Sequence, residues 1–306
     1  MSLKPINQVK LNGFEKIFHE LVKLHHNSKF PNKILFSGQK GIGKSTLAYH
    51  LINYILSKDE EKKYNLDNFE INSYNRSYLL TQNGSNPNLN LVDILPEKKN
   101  IDIQQIRNLI NLMNKSSFNN KPRFILIDNI EFLNINSINS LLKFLEEPNN
   151  GIYFILINNN KKILPTLKSR CLDFKIFMSN NTSLEIANKL TNINVLDKIN
   201  DELVNYYISP GNLYKLFKFS ENHKLDLKNL SLKDLLKKII NEKIYKKDDI
   251  SKILFYELIE FYLMKKPSLI YSDLTNYYLN KINEIKKYNL DEESFFIEFE
   301  NKLLNG

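Results

Sequence analysis

Gly38-Gln39-Lys40-Gly41-Ile42-Gly43-Lys44-Ser45 reads G-x-x-x-x-G-K-S in full. That spacing suits a phosphate chain. The glycines let successive backbone N–H groups curl around an anion without side-chain penalty. Lys44 is placed to reach the outer phosphates, and the Ser45 hydroxyl to meet a magnesium ion. The chain that follows is helix-forming, so its positive N-terminal end points at the same place. Gly38, Gly41, Ile42, Gly43, Lys44, Ser45 and Thr46 are therefore the expected nucleotide-binding set. A second chemical position is Asp128, which closes the apolar run Phe124–Ile127. A carboxylate at the end of such a strand, in a chain with a complete phosphate loop, is expected to hold the magnesium with Ser45. The next residue is Asn129, whose amide cannot take a proton from water. Glu131 lies two further on, outside the reach expected of a base. The residues predict nucleotide binding with little turnover.

Several elements must position these groups. Lys33 to Phe36 is a short apolar run between Pro31-Asn32 and Ser37-Gly38, a buried strand. Ser45 to Leu56 carries Leu47, Ala48, Leu51, Ile52 and Ile55 at helical spacing. Residues 57 to 88 are polar and read as irregular or partly helical. Leu89 to Leu95 is a second expected strand and Asp102 to Met113 a helix. Arg123 to Ile127 is a strongly apolar strand. A helix from about Asn136 to Glu147 follows and is stopped by Pro148. Ile152 to Ile157 and Leu172 to Phe177 complete five strands. Continuous apolar strands alternating with helices predict an α/β parallel sheet covered on both faces. Beyond Met178 helical periodicity runs to Leu304, broken near Pro210-Gly211 and Lys266-Pro267, which predicts an all-helical remainder.

With 306 residues and 42% hydrophobic content the chain can bury a sizeable core spread over two or three domains. No apolar run is long enough to cross a bilayer and Met1 to Lys10 lacks a signal-peptide core, so a cytoplasmic protein without membrane contact is expected. One cysteine, Cys171, excludes an internal disulfide and any zinc site built on cysteine pairs. The five histidines show no metal-ligand spacing, and the adjacent His25 and His26 read as a solvated helix end. The net charge is +9, and all of it resides in residues 1–180, which hold 24 Lys and Arg against 15 acids; residues 181–306 hold 19 of each sign. A basic first domain is compatible with phosphate binding, as it is with the Lys-, Asn- and Ile-rich composition of the whole chain. Arginine is scarce: Arg76, Arg107, Arg123 and Arg170 are four of 43 basic residues. A guanidinium kept in so lysine-rich a chain points to a place that needs its planar fork.

Two further stretches carry a resemblance. Asn139-Ser140-Leu141-Leu142-Lys143-Phe144-Leu145-Glu146-Glu147-Pro148 is similar to the N-x-L-L-K-x-L-E-E-P signature of clamp-loader subunits. Leu164-Pro165-Thr166-Leu167-Lys168-Ser169-Arg170-Cys171 resembles the L-P-T-x-x-S-R-C segment of the same family. Together with the phosphate loop they resemble the AAA+ clamp-loader family over roughly Leu11 to Phe177, and within it the delta-prime subunits of the bacterial DNA polymerase III clamp loader. The resemblance implies a nucleotide-binding AAA+ domain over 1–178, a small helical lid over 179–222 and a helical collar over 223–306. It implies ATP or ADP with Mg2+ as cofactors. The implied partners are the gamma/tau and delta subunits in a hetero-pentameric ring, the sliding clamp, and primed DNA met through its phosphates. Arg170 would be an arginine finger acting on a neighbour's ATP, where a guanidinium stabilises transition-state charge; a local pairing with carboxylates is the alternative. Asn158 matches the family's first sensor position.

Two departures bear on activity. Motor subunits of the family, and many delta-prime subunits, carry a four-cysteine zinc module after the phosphate loop. Residues 57–123 contain no cysteine, so no zinc is expected. Motor subunits also carry a second sensor arginine, and Ser209-Pro210-Gly211-Asn212-Leu213 has Asn212 at that place. The reading is a clamp-loader subunit that binds nucleotide and lends Arg170 to a neighbouring ATPase. The alternatives are an active gamma/tau-like motor ATPase, a P-loop kinase, or a scaffold with a vestigial phosphate loop. An acidic residue at 129 and an arginine at 212 would have favoured the motor. A kinase would want an arginine-rich lid, and no arginine follows Met178.

Overall fold

The computed structural model describes all residues except 1–2, 96–97, 116–118, 147–149, 207, 266–272, 289 and 306. Within them the chain divides into two compact units, Met1–Ile186 and Ala187–Gly306.

The first unit is built on five parallel strands: β1 (Lys33–Ser37), β2 (Leu89–Val92), β3 (Arg123–Ile127), β4 (Ile152–Asn158) and β5 (Leu172–Lys175), in the order β2-β3-β4-β1-β5. Its helices are α1 (Glu15–His26), α2 (Lys44–Leu56), α3 (Arg76–Gln82), α4 (Ile103–Met113), α5 (Ile135–Glu146), α6 (Pro165–Lys168) and α7 (Asn180–Thr191), the last of which runs across the boundary. The continuous apolar runs are explained by the pleat, which sends successive side chains to opposite faces. Ile34, Phe36, Phe124, Leu126, Ile155 and Ile157 pack with Phe18 and Leu21 of α1 and Leu47 and Leu51 of α2. Leu35, Ile125, Ile127, Phe154 and Leu156 pack on the other face with Ile106 and Leu109 of α4 and Leu141 and Leu145 of α5. Both faces are dry, so no alternation of polar and apolar residues survives in the sequence.

Element boundaries follow local chemistry. Asp102 is the cap of α4 rather than its first residue: its side chain accepts from the Gln105 backbone and Gln105 returns the bond. β2 ends at Val92, three residues earlier than the sequence predicts, because Asp93 and Asn129 turn toward each other beyond the strand ends. β5 likewise ends at Lys175, and Phe177 stands 77% exposed past it. α5 begins at Ile135; the stop expected at Glu147 and Pro148 lies outside the described residues.

Residues 57–88 contain α3 and a well-anchored loop. Tyr64 stacks on Phe18 and bonds His50, Asn53 and Asn75 exchange amide hydrogen bonds at 3.1 Å, and Glu60 accepts from Ser77 and Lys121. Aromatic packing and buried amides fasten this stretch to α1 and α2.

The second unit is helical: α8 (Asp201–Tyr206), α9 (Pro210–His223), α10 (Leu232–Asn241), α11 (Asp249–Lys265), α12 (Asp273–Tyr288) and α13 (Glu292–Phe299). Tyr245, Phe255, Phe295, Phe296 and Phe299 form its aromatic centre. Pro210, read in the sequence as a break, occupies the first turn of α9, where a missing N–H costs nothing. The break expected at Lys266-Pro267 lies outside the described residues.

Candidate nucleotide site

The site forms at the carboxyl ends of β1, β3 and β4, the edge at which open parallel sheets bind ligands. β1 lies beside β4, with Ser37 level with Asn158, so the phosphate loop and the β4–α6 loop emerge side by side. β3 is the next strand along and delivers Asp128 to the same edge.

The loop geometry is that of an anion cradle. Gly43 has φ 102°, a conformation L side chains rarely adopt, and Gly41 has φ 85°. Gly38 is required for a different reason: a Cβ there would lie 2.4 Å from the Ile176 carbonyl oxygen. Ile42 is buried at the foot of the loop, in the core between sheet and α2. The 13-residue α2 begins at Lys44, with Ser45 and Thr46 in its first turn, and directs its positive end at the cradle.

Lys44 is 3% exposed and its ammonium donates to the carbonyls of Gly38 (2.9 Å) and Gln39 (2.7 Å) and to Asn159 Oδ1 (2.9 Å). Burial pulls its pKa down to about 8, against the opposing pull of Asp128 and Glu131. Ser45 Oγ donates to Asp128 Oδ2 at 2.5 Å. Burial raises the Asp128 carboxyl, neighbouring Asp93 adds to the rise, and the Ser45 bond opposes both. A hydroxyl and a carboxylate held this close beside a phosphate cradle form a hard-oxygen pair that fits magnesium, an ion that takes one or two protein oxygens and completes its shell with water and phosphate. Bound there, magnesium would neutralise charge on the outer phosphates.

Not every expected residue is brought to this place. Asn158 turns away: its amide donates to the Lys161 carbonyl and accepts from the Lys161 N–H, closing its own loop. The next residue, Asn159, faces Lys44 instead. Its Nδ2 donates to Asn129 Oδ1 (2.8 Å) and Glu131 Oε1 (3.0 Å). Asn129 in turn donates from Nδ2 to Asp93 Oδ1 at 2.8 Å. Glu131 therefore lies inside the network around Lys44, contrary to the expectation from its position in the sequence, because Asn129 sits in the left-handed region (φ 56°) and folds the chain into a short 3-10 turn. Sequence reasoning missed Asn159 and Asp93, and it placed Glu131 outside the site. Asp93 had a readable signal, since it follows a strand as Asp128 does. Within the run Asn158-Asn159-Asn160 nothing in the sequence tells one amide from another.

Arg170 stands apart from this cluster, at the C-terminal side of α6. It forms an ion pair with Glu146 and donates from Nη1 to the Thr166 carbonyl at 2.8 Å. Glu146 is half exposed, and such surface pairs contribute at most about 1 kcal/mol. Arg123, another of the four arginines, donates to the carbonyl of Met113 at the end of α4 and to that of Lys115 just beyond it.

Residues 13–179 match the sequence profile of the family described as DNA polymerase III, delta subunit, just over half of the 306 residues. The chain belongs to that family. Among curated relatives, DNA polymerase III subunit delta' of Buchnera aphidicola subsp. Baizongia pistaciae is 28% identical over 191 residues, 60% of this chain and 54% of the relative. The delta' subunit of Buchnera aphidicola subsp. Schizaphis graminum is 26% identical over 290 residues, 88% of this chain and 84% of the relative. The gamma/tau subunit of Mycoplasma genitalium is 31% identical over 201 residues, 65% of this chain and 32% of the relative. The chain thus spans about half the length of the first of these relatives. The delta-prime resemblance read from the motifs agrees with this family, and no helix among the described residues is long and apolar enough to cross a membrane.

Proposed function

We propose that this chain works as a delta-prime-type subunit of a clamp loader, binding ATP or ADP with magnesium and turning it over little. The observation that carries the reading is the pairing of an intact cradle with an amide at the catalytic place. Lys44, Ser45 and Asp128 form the cradle for a nucleotide, while Asn129 offers no base beside Asp128 and Glu131 is held as an acceptor for Asn159. Asn159, rather than Asn158, is the amide placed to meet a γ-phosphate. No zinc is included, since no cysteine lies in 57–123.

Arg170 is proposed as a finger acting on the ATP of a neighbouring subunit. Support comes from its place in the L-P-T-x-x-S-R-C segment and from a pairing with Glu146 weak enough to be exchanged. The proposed partners are gamma/tau and delta subunits in a five-membered ring, the sliding clamp, and primed DNA through its phosphates. The lid is assigned to 179–222 and the collar to 223–306, supported by the absence of strands after β5 among the described residues.

The test is reconstitution of the ring with gamma/tau and delta subunits. Arg170→Ala is expected to lower the neighbour's ATPase by roughly a thousandfold, the scale of a lost finger. Failure to associate with any clamp-loader subunit would end the reading. A motor ATPase is the second reading, favoured by the 31% identity to a gamma/tau subunit and opposed by Asn129 and Asn212.

A further inference from the structure

Around Lys44 every amide has only one possible direction. A lysine ammonium can only donate, so Asn159 must show it Oδ1. Both hydrogens of Asn159 Nδ2 are then spent on acceptors behind it, Asn129 Oδ1 and Glu131 Oε1. Asn129, having presented its oxygen, must turn its own Nδ2 to Asp93. Carboxylates stand at both far ends, and an acidic side chain can only accept when ionised.

Two ammonium hydrogens of Lys44 are committed to the loop carbonyls of Gly38 and Gln39. The third goes to Asn159 Oδ1, which thus stands where an outer phosphate oxygen would take it. A diphosphate leaves this amide undisturbed beyond its β-phosphate. A γ-phosphate would face an oxygen, and to gain a donor there Asn159 must turn over. Turning over leaves Asn129 Oδ1 and Glu131 Oε1 without their donors and faces both with the amide oxygen, while Glu131 Oε2 keeps only the long bond from the Asn159 N–H (3.4 Å). Asp93, Asp128 and Glu131 also oppose the additional negative charge a triphosphate brings.

We propose that Glu131, assisted by Asp93 acting through Asn129, sets this site's preference for nucleoside diphosphate over triphosphate by fixing the direction of the Asn159 amide. Glu131 is a specificity-determining residue and Asp93 a positioning residue. The proposal rests on the nucleotide-binding reading of the same site.

The test is calorimetry of Mg-ADP and Mg-ATPγS on the full chain and three variants. The unmodified chain is expected to bind ADP more tightly. Glu131→Ala removes a charge-assisted acceptor and is expected to shift the ADP-to-ATPγS ratio toward the triphosphate by about tenfold. Asp93→Ala shifts it in the same direction by about threefold, less than Glu131→Ala because Asp93 acts on Asn159 only through Asn129. Asp93→Asn, whose carbonyl still accepts from Asn129, brings the ratio back toward that of the unmodified chain. A parallel loss of both nucleotides in the alanine variants would mean a merely structural role and overturn the proposal. So would a preference of the unmodified chain for ATPγS. Absence of any nucleotide binding by the unmodified chain would remove the nucleotide reading itself, and this inference with it.

Discussion

Lys44 shows how burial and function pull on one group. Its ammonium is almost fully enclosed, which lowers its pKa to about 8, while Asp128 and Glu131 hold the charge in place. A phosphate raises the affinity of this lysine for its proton, so nucleotide binding favours the charged form. As pH rises through about 8 the free site loses its proton, and binding must take one up. Nucleotide affinity is therefore expected to fall above that pH, approaching tenfold per pH unit. Fluorescence titrations across this range check it, and a profile that stays flat from about pH 8 to about pH 10, above the Lys44 pKa of about 8, would contradict the assignment. The phosphate loop itself was legible from residue types and order, because glycines at those positions, followed by Lys and Ser, have few other uses. The amide chain from Lys44 to Asp93 was not legible. It depends on which of three consecutive asparagines turns inward, and on a left-handed turn at Asn129 that no residue pattern announces.

At the scale of elements, α2 is held by polar as well as apolar contacts. His50 is wholly buried, bonding the Tyr64 hydroxyl and the Gln8 carbonyl, and burial lowers its pKa to about 4. An unfolded chain takes up this proton near 6.5 while the folded one resists until about 4, so stability is complete above 6.5 and is lost as pH falls between these values. The loss is expected to reach about 2 kcal/mol between about pH 7 and pH 5. Urea unfolding of His50→Gln beside the unmodified chain isolates it: the two curves should converge on acidification, and parallel curves would contradict the account. Phe18 of α1, fully buried against the loop carrying Tyr64 and Phe69, is expected to cost about 3–5 kcal/mol when cut to alanine. Thermal melts would register it. Strands β1, β3 and β4 were legible because their runs are too apolar for any exposed position. The ends of β2 and β5 were not, since Leu95 and Phe177 continue the apolar pattern in exposed places.

For the whole molecule, charge and chemistry coincide. The +9 excess lies in residues 1–180, the part that carries the cradle and Arg170, and the helical remainder is balanced. If primed DNA is met through phosphates alone, affinity of the reconstituted ring should fall steeply with salt, roughly 10³-fold or more between about 50 and 200 mM where six or more phosphates are contacted, and ignore sequence. Fluorescence anisotropy on two unrelated primed templates would show it; a sequence preference would contradict it. The change from sheet-bearing to helical chain was legible from the periodicity after Met178, whereas the two units part later, after Ile186 within α7. The finger role proposed for Arg170 could not follow from one chain, since such a finger would act outside its own subunit.

The central claim is a working nucleotide site, and calorimetry of Mg-ATP and Mg-ADP on the purified chain tests it most directly, with Lys44→Ala beside it. The account predicts micromolar binding that Lys44→Ala abolishes. Binding that survives in Lys44→Ala, or no binding by either protein, would contradict it.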